Sequence, residues 1–311
     1  MRILAASDVA GALDLESTVE RLRQAWRGQE VQPGPLDLDL PTLDGPGARL
    51  SLLPAWQLGR FVGLRITTAF PGNEERDTPV EMSSYLLLDG RSGQPVALID
   101  GALLVRRRAA ATSALAAGYL ARPDSERLLM IGAGAMAGHL IEAHAKVRPI
   151  CNVLIWSRNA GRAKRLAKRL DRRDFRVAAT EDLGEAVRGA HIICSATRSP
   201  DPLIEGAWLQ EGQHLDLVGS TRLEVSECDA ATLRRARLFV DSREETPHRS
   251  GELAAALAAG AIQPEDIAAD LFELTRGERA GRRYYDQITL FKSVGLGLAD
   301  LAAAQLVLQR R

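Results

Sequence analysis

Hydrophobic and polar positions in the first hundred residues change from a helical to an alternating pattern. Between residues 10 and 30, apolar side chains recur at helical spacing and predict a helix. Residues 32–48 are rich in Pro, Gly, Asp and Leu, which indicates extended segments and turns. Apolar runs then predict four strands, at Leu50–Leu53, Phe61–Thr68, Met82–Leu88 and Pro95–Ile99. The turn sequence Asp89–Gly93 joins the last two as a hairpin, so this part predicts a helix and a mostly antiparallel sheet.

The pattern changes again near Gly101. Residues 103–121 are rich in Ala and Leu and predict one long helix, which Arg122-Pro123-Asp124 ends. Beyond residue 127, predicted strands alternate with predicted helices, which is typical of a doubly wound parallel sheet of the Rossmann type. The predicted strands are 128–131, 153–156, 175–178, 191–195, 215–218 and 238–241. The predicted helices are 137–147, 160–170, 182–188, 252–259, 264–275 and 295–309.

Composition excludes several classes of protein. The 311 residues contain 40 Lys+Arg and 40 Asp+Glu, so no global charge favours nucleic acid or an anionic membrane as a partner. No apolar run reaches the roughly 18 residues that a membrane span needs. Asp8 lies too early for a signal peptide, and three scattered cysteines fit a reducing compartment. We therefore expect a cytoplasmic protein.

The strongest motif begins where the predicted strand 128–131 ends. It reads Gly132-Ala133-Gly134-Ala135-Met136-Ala137, which is Gly-x-Gly-x-x-Ala between an apolar strand and an amphipathic helix. Such a turn lets the backbone approach a pyrophosphate, which the positive helix end then attracts. The coenzyme-binding residues predicted in this motif are Gly132, Gly134, Ala135, Met136 and Ala137. The alternative is a glycine-rich turn that binds nothing.

The end of the second strand of this motif favours NADP over NAD. NAD sites usually carry an acid there to accept the ribose hydroxyls, but this chain has Ser157 and Arg158, with no acid until Asp171. Ser157 can donate to a 2′-phosphate and Arg158 can pair with it. The competing interpretation is that Arg158 is a surface side chain at the cap of the next helix.

Two arginines are candidates for holding a substrate carboxylate. Arg108 follows Arg106 and Arg107 near the start of the long helix, where cations oppose the helix dipole, and it shares the core-facing stripe. Arg65 shares a strand face with Gly63 and Thr67, and a solvent-facing position is equally compatible with the spacing. A clustered metal site is not expected, because His139 and His144 are five residues apart, off the spacing that lets two histidines share a metal.

The chain resembles the ornithine cyclodeaminase/μ-crystallin family from about residue 50 to the C-terminus. That family also includes Δ1-pyrroline-2-carboxylate reductases, other ketimine reductases and some alanine dehydrogenases. The stretches that carry the resemblance are Val62–Asn73, Asp100-Gly101 with Arg108–Leu115, the Gly132 turn, Ser195-Ala196-Thr197, Val218-Gly219-Ser220 with Glu227, and Ile288–Gly295.

The resemblance implies a Rossmann domain inserted in an α+β substrate-binding and dimerisation domain. The latter would comprise 1–115 and the C-terminal segment 292–311, the NAD(P)-binding domain 116–291, and the protein would be a homodimer. Arg108 matches the residue that binds the substrate carboxylate. The further coenzyme-binding positions that the resemblance implies are Ala196, Thr197, Val218, Lys292 and Ser293.

Departures from the family pattern favour reduction of an imine. Arg65 replaces a usual lysine and stays protonated, so we expect an electrostatic anchor. Thr221 replaces the aspartate of cyclodeaminases and could only relay a proton, and the run Leu50–Pro54 lacks their glutamate. No basic residue lies between Arg27 and Arg49 where many members have an arginine, and Arg49 is a possible substitute.

We expect an NAD(P)H-dependent reductase of small cyclic α-imino acids, with Arg65, Arg108 and Thr221 as catalytic residues. The second expectation is ornithine cyclodeaminase, with bound NAD, and the third is alanine dehydrogenase. An expectation of another class is a μ-crystallin-like protein that binds small ligands without turnover.

Overall fold

A computed structural model describes residues 1–28, 30–42, 47–76, 78–171, 174–219 and 222–311. The chain divides into two compact units. The first comprises Met1–Ala111 and Leu296–Arg311, and the second comprises Thr112–Gly295. The boundaries expected from the sequence, after residues 115 and 291, lie four residues from these divisions after residues 111 and 295.

Both units contain strands and helices. In chain order, the strands are β1 (Arg2–Leu4), β2 (Leu36–Leu40), β3 (Ala48–Gln57), β4 (Phe61–Ala69), β5 (Glu81–Asp89), β6 (Pro95–Asp100), β7 (Arg127–Ile131), β8 (Asn152–Trp156), β9 (Arg176–Thr180), β10 (Ile192–Ser195), β11 (His214–Leu217), β12 (Arg237–Val240), β13 (Ile267–Asp270) and β14 (Thr289–Lys292). The helices are α1 (Ala6–Ala12), α2 (Leu15–Arg27), α3 (Gly101–Leu120), α4 (Ala137–Val147), α5 (Ala160–Leu170), α6 (Leu183–Gly189), α7 (Ala230–Arg235), α8 (Thr246–Arg249), α9 (Gly251–Ala258), α10 (Leu271–Arg276) and α11 (Gly297–Arg310).

The first unit contains a sheet in the order β1-β6-β5-β4-β3-β2, antiparallel except for the parallel pair β1–β6. One face of the sheet forms a core with α1 and α11, built from Ala55, Tyr85, Leu87, Ala97, Ile99, Val9, Leu301 and Ala304 among others. The helix expected over residues 10–30 is two helices, because Asp14 accepts a hydrogen bond from the Ser17 N–H and caps α2.

The second unit contains the predicted doubly wound sheet, with all strands parallel, in the order β9-β8-β7-β10-β11-β14-β12-β13. The helix expected over 264–275 is wrong in its first half, since β13 occupies Ile267–Asp270. Asp270 and Glu273 then form a capping box that starts α10. The sequence pattern also does not reveal β14, which inserts between β11 and β12. Buried parallel strands lack alternation, so periodicity alone does not identify them.

The strand order reverses between β7 and β10, which defines the crevice where doubly wound sheets bind ligands. Six neighbouring strands end in one aligned row at the carboxyl edge. The residues of this row are Trp156, Ile131, Ser195, Leu217, Lys292 and Val240. Whatever follows each of these residues therefore lies along one edge of the sheet.

No helix in the described ranges is long and apolar enough to cross a membrane.

Candidate functional site

Gly132 has a conformation and surroundings that only glycine fits. Its φ of +106° lies in the region that L side chains avoid. A Cβ atom at this position would lie 2.7 Å from the carbonyl oxygen of Ala196. The Gly132 N–H donates to the Trp156 carbonyl oxygen at 2.8 Å, which fixes the turn to the end of β8. The first glycine of the motif thus allows the end of β7 to pack closely against its neighbours, where the strand order reverses.

The rest of the turn offers an open, electropositive surface. Gly134 and Ala135 are exposed, and a Cβ on Gly134 would meet no atom within 4 Å. The cap residue of α4, Met136, contributes no side-chain hydrogen bond, while Ala137 is buried as the helix begins. An uncapped helix start beside a glycine with free space fits a pyrophosphate. The turn therefore has the shape and polarity that a dinucleotide coenzyme requires.

The other coenzyme positions expected from the sequence lie along the same edge. Ser157, Ala196, Val218 and Ser293 each follow directly after a residue of the aligned row at the ends of β8, β10, β11 and β14. With Gly132 after β7, five adjacent strands contribute one such residue each. Four strand intervals of about 4.8 Å span roughly 19 Å. The structure thus places these five positions along one edge of the sheet.

Ser157 and Arg158 lie just past the end of β8. Ser157 is half-buried and its Oγ accepts a hydrogen bond from the Asn159 N–H at 3.4 Å, while Arg158 is exposed. The cap of α5 is Asn159, whose side chain accepts from the Arg162 N–H at 3.0 Å. Arg158 is therefore a surface side chain, as the alternative expected, but it does not cap this helix.

The side chain of Lys292 points into the protein. It is fully buried, and its Nζ lies 3.0 Å from Glu252 Oε1 and 3.8 Å from Glu227 Oε2. Its carbonyl oxygen accepts a hydrogen bond from the Asp241 N–H. The Lys292 side chain is therefore directed away from the edge at which Ser293 and Thr197 lie.

A buried carboxylate joins the two candidate substrate-binding arginines in the first unit. Asp300, on α11, accepts a hydrogen bond from Arg108 Nε at 2.5 Å through Oδ1 and from Arg65 Nη1 at 2.9 Å through Oδ2. The Asp300 side chain is completely buried, and those of Arg108 and Arg65 are 5% and 17% exposed. The solvent-facing alternative for Arg65 is therefore wrong. Two guanidinium groups therefore meet at one buried carboxylate, and a guanidinium is a group that binds carboxylates through paired hydrogen bonds.

Tyr85 packs beside this cluster. It pairs with Arg65 across β4 and β5, and a Cβ on Gly63 would lie 1.9 Å from its hydroxyl oxygen. Burial raises the pKa of Tyr85 well above its ordinary value, and the charge of Asp300 adds to the effect. Tyr85 is therefore a neutral phenol, for which the glycine at position 63 makes room.

Other predicted positions have different outcomes. Thr221 lies outside the described residues, as does Ser220, so the expected proton relay stays a prediction. Arg49 forms an ion pair with the exposed Asp39 at 3.5 Å. Arg107 donates to the carbonyl oxygens of Ala10 and Leu13 and anchors α3 to the end of α1.

One buried cluster in the described ranges has the composition of a metal site, formed by His144, Cys194 and Asp216. These side chains already bond to one another, since His144 Nε2 lies 3.0 Å from Asp216 Oδ2 and Cys194 Sγ donates to the same oxygen at 3.3 Å. Burial raises the pKa of the Cys194 thiol, which disfavours the thiolate that metals bind. The arrangement is that of a buried hydrogen-bonded cluster.

The sequence pattern does not reveal Asp300 as a member of the arginine cluster, nor Glu227 as an acceptor for the Thr197 and Gly219 N–H groups. Asp300 was detectable, because it is a lone acid within an Ala- and Leu-rich helix whose positions 297–307 are all buried. A charge in such a helix needs a partner. Its identity as the partner of Arg65 and Arg108 depends on tertiary structure.

Comparisons with known proteins identify a family whose profile covers nearly the whole chain. The profile of the ornithine cyclodeaminase/mu-crystallin family matches residues 3–311. A Delta(1)-pyrroline-2-carboxylate reductase of Paracoccus denitrificans is 38% identical, with 98% of this chain and 96% of the relative covered.

Two solved structures are similar over the whole chain. The Delta(1)-pyrroline-2-carboxylate reductase of Thermococcus litoralis, in complex with NADH and L-proline, superposes with a TM-score of 0.94 at 29% identity, covering 100% of this chain and 97% of that one. An archaeal alanine dehydrogenase dimer with bound NAD gives 0.91 at 27% identity, covering 100% and 95%.

The fold and the glycine turn define a nicotinamide-coenzyme protein of the Rossmann class. The chain belongs to the ornithine cyclodeaminase/mu-crystallin family.

Proposed function

We propose that this protein is an NAD(P)H-dependent reductase of small cyclic α-imino acids of the Δ1-pyrroline-2-carboxylate type. The observation that carries the proposal is the buried guanidinium pair of Arg65 and Arg108, held by Asp300. Such a pair matches the carboxylate of an amino or imino acid. The similarity to reductases of this substrate class supports the same assignment.

In the proposed reaction, Arg108 and Arg65 bind the substrate carboxylate and so orient the C=N bond. A bound nicotinamide coenzyme supplies the hydride. The turn from Gly132 to Ala137 holds its pyrophosphate, and Ala196, Thr197, Val218 and Ser293 line the edge that receives the rest. Protonation makes the imine carbon electrophilic, and Thr221 is the candidate relay for that proton. Positioning therefore supplies most of what the protein itself contributes.

The test is a spectrophotometric panel that follows loss of NADPH and NADH with pyrroline- and piperideine-carboxylates and with pyruvate plus ammonia. We expect turnover of the cyclic imino acids, and Arg108→Ala to lower kcat/KM at least about a hundredfold through loss of charge-assisted hydrogen bonds. Arg106→Ala, at a part-exposed position on the same helix, is the matched control. Coenzyme binding without turnover of any imino or amino acid would instead support the ligand-binding alternative.

We further propose NADP(H) as the preferred coenzyme. Ser157 follows the end of β8 and the neighbouring Arg158 is exposed and does not cap α5, so both are available to a 2′-phosphate. The ratio of kcat/KM for NADPH and NADH measures the preference. A higher value for NADH would contradict it.

A second copy of this chain is the proposed partner of the outer face of the first unit's sheet. Beside the polar Thr68 and Ser84, that face carries apolar side chains, none of them buried: Leu36, Leu38, Leu50, Leu52, Pro54, Trp56, Val62, Leu64, Ile66, Leu86, Leu88 and Leu98. A contiguous apolar surface of this extent marks an interface, and two-fold association makes one surface its own partner. The similar alanine dehydrogenase is a dimer.

Light scattering tests the homodimer. Leu64→Glu places a charge at the centre of this face, and we expect a monomer. Leu58→Glu changes an exposed residue in the turn between β3 and β4 and should leave the dimer intact. A wild-type monomer, or a dimer with Leu64→Glu, would contradict the proposal.

Cyclodeamination is a second candidate because a carboxylate approaches β3 from the neighbouring strand. Asp37 on β2 pairs with Ser51 and its Oδ1 accepts from the Ser51 hydroxyl. Asp37 would therefore supply the carboxylate that β3 itself lacks. Ammonia and proline from ornithine, with no net coenzyme consumption and with loss in Asp37→Asn, would favour this activity.

We also propose a cytoplasmic location, supported by three cysteines that are free thiols in the structure.

A further inference from the structure

Glu227 gathers hydrogen-bond donors from the ends of two neighbouring strands. Its Oε1 accepts from Ser195 Oγ at 2.6 Å, from the Thr197 N–H at 2.8 Å and from Thr197 Oγ1 at 3.1 Å. Its Oε2 accepts from the Gly219 N–H at 2.7 Å. The side chain is completely buried. One carboxylate therefore connects the loop that follows β10 with the loop that follows β11.

These two loops are packed so closely that a small shift in either would displace residues at the carboxyl edge of the sheet. A Cβ on Gly219 would lie 2.2 Å from the Thr197 carbonyl oxygen and 2.6 Å from Glu227 Oε1. On the other side, the Ala196 carbonyl oxygen is the nearest atom to a Cβ built on Gly132. The position of residues 196 and 197 is thus set between the pyrophosphate turn and Glu227.

The end of β14 adds a cation behind this carboxylate. Lys292 Nζ lies 3.8 Å from Glu227 Oε2 and 3.0 Å from Glu252 Oε1, and all three side chains are buried. Glu252 differs from Glu227 in one useful respect. Neither of its carboxylate oxygens has a hydrogen-bond partner among the residues that the structure describes. Among the described residues, Glu252 thus pairs with Lys292 but accepts no hydrogen bond from either loop.

We propose that Glu227 is a positioning residue for the nicotinamide coenzyme. It holds the Ala196-Thr197 and Val218-Gly219 segments in the arrangement that receives the coenzyme. The Thr197 and Gly219 N–H groups can only donate, and they meet different oxygens of Glu227, so a carboxylate offers an acceptor to each of them. Glutamine at this position would turn an NH₂ group against one set of donors. The inference rests on the proposed function only in that this edge binds the coenzyme.

The test compares Glu227→Gln with Glu252→Gln, two isosteric changes on either side of Lys292. For Glu227→Gln we expect the Kd of NADPH, measured by fluorescence titration, to rise about ten- to a hundredfold, as loss of charge-assisted hydrogen bonds predicts. Hydrogen exchange of the coenzyme-free protein should show faster exchange at the Thr197 and Gly219 amides. Glu252→Gln should change the Kd by less than about threefold.

Ser195→Ala keeps the carboxylate and removes its 2.6 Å donor, so it serves if Glu227→Gln does not fold. For Ser195→Ala we expect a rise of about three- to tenfold in the Kd of NADPH, against a change of less than about threefold for Glu252→Gln. Equal Kd values for the wild type and a folded Glu227→Gln, or an equal rise in both glutamine variants, would overturn the proposal. Coenzyme binding without imino-acid turnover would refute the proposed function alone, since the Kd comparison remains valid.

Discussion

Asp300 determines what the two candidate substrate-binding arginines can do. A guanidinium on a flexible side chain has many orientations, and the two oxygens of one buried carboxylate select one orientation for each arginine. The cost of burying these charges is offset only while all three groups are present. In our proposal, the same interaction contributes to stability and to substrate binding.

Asp300→Asn should weaken both. An amide cannot accept from both guanidinium groups, so we expect a loss of about 3 kcal/mol in the free energy of unfolding, as for other broken buried ion pairs. We also expect kcat/KM for the imino acid to fall at least about tenfold, mainly through KM. Urea denaturation and steady-state kinetics measure the two effects.

Asp14→Asn is the matched control for Asp300→Asn. Asp14 also pairs with an arginine of α11, Arg310, but this pair is partly exposed. An exposed pair contributes about 0–1 kcal/mol, and asparagine can still cap α2. Equal effects of the two substitutions would refute the special role of Asp300.

Ser157 decides the coenzyme in our proposal. Ser157→Asp should reverse the preference from NADPH to NADH, because a carboxylate repels a 2′-phosphate and accepts from ribose hydroxyls. We expect the ratio of kcat/KM for the two coenzymes to change about ten- to a hundredfold. Asn159 caps α5 and is unchanged, so the Tm should stay the same. An unaltered ratio would show that this position does not face the ribose.

At the scale of elements, the strand–turn–helix unit β7–α4 was predictable and the end of the same sheet was not. Four apolar residues, two glycines and an amphipathic helix specify β7–α4 locally. The strands β13 and β14 are four residues each and acquire their identity from pairing with β12 and β11. Their sequences are equally compatible with helix when considered alone.

Gly132→Ala should damage the β7–α4 turn. The methyl group would meet the Ala196 carbonyl oxygen, and the φ of +106° is strained for alanine. We expect a destabilisation of about 1–3 kcal/mol and a large rise in the Kd for either coenzyme. Gly134→Ala should preserve the Tm, because a Cβ at this position meets no atom within 4 Å in the coenzyme-free protein. A wild-type Kd in Gly132→Ala would contradict the assigned turn.

At the scale of the whole molecule, the buried polar residues of the second unit make its stability depend on pH. Burial lowers the pKa of His214 from 6.5 to about 3, although Asp216 partly opposes this. His144, Arg282 and Arg148 lie near enough to disfavour its protonation further. The folded protein therefore keeps this imidazole neutral where the unfolded chain protonates it.

Stability should consequently fall as the pH decreases from about 6.5 towards 3. In that window the unfolded chain binds one more proton at this site, which costs up to about 1.4 kcal/mol per pH unit. We expect His214→Asn, which can keep a hydrogen bond to Thr289, to lose less stability than the wild type between about pH 7 and pH 5. Urea midpoints of both proteins at both pH values measure the difference. An equal loss of stability between the two pH values in the variant and the wild type would contradict the prediction.

The sequence alone determined the features that depend on neighbours along the chain. These are the helical and alternating segments, the parallel class of the second sheet and the glycine turn. It also identified Arg65 and Arg108 as candidates for binding a substrate carboxylate, because residue type and spacing along the chain were enough to suggest that chemistry.

Only the tertiary structure decided which distant residues meet. Asp300 lies 192 positions from Arg108, and Glu227 gathers donors from two different loops. Such pairings depend on strand order and on where the last helix packs, which hydrophobic burial of the whole chain selects. No local pattern carries that information, because the free energy that fixes these contacts belongs to the assembled core.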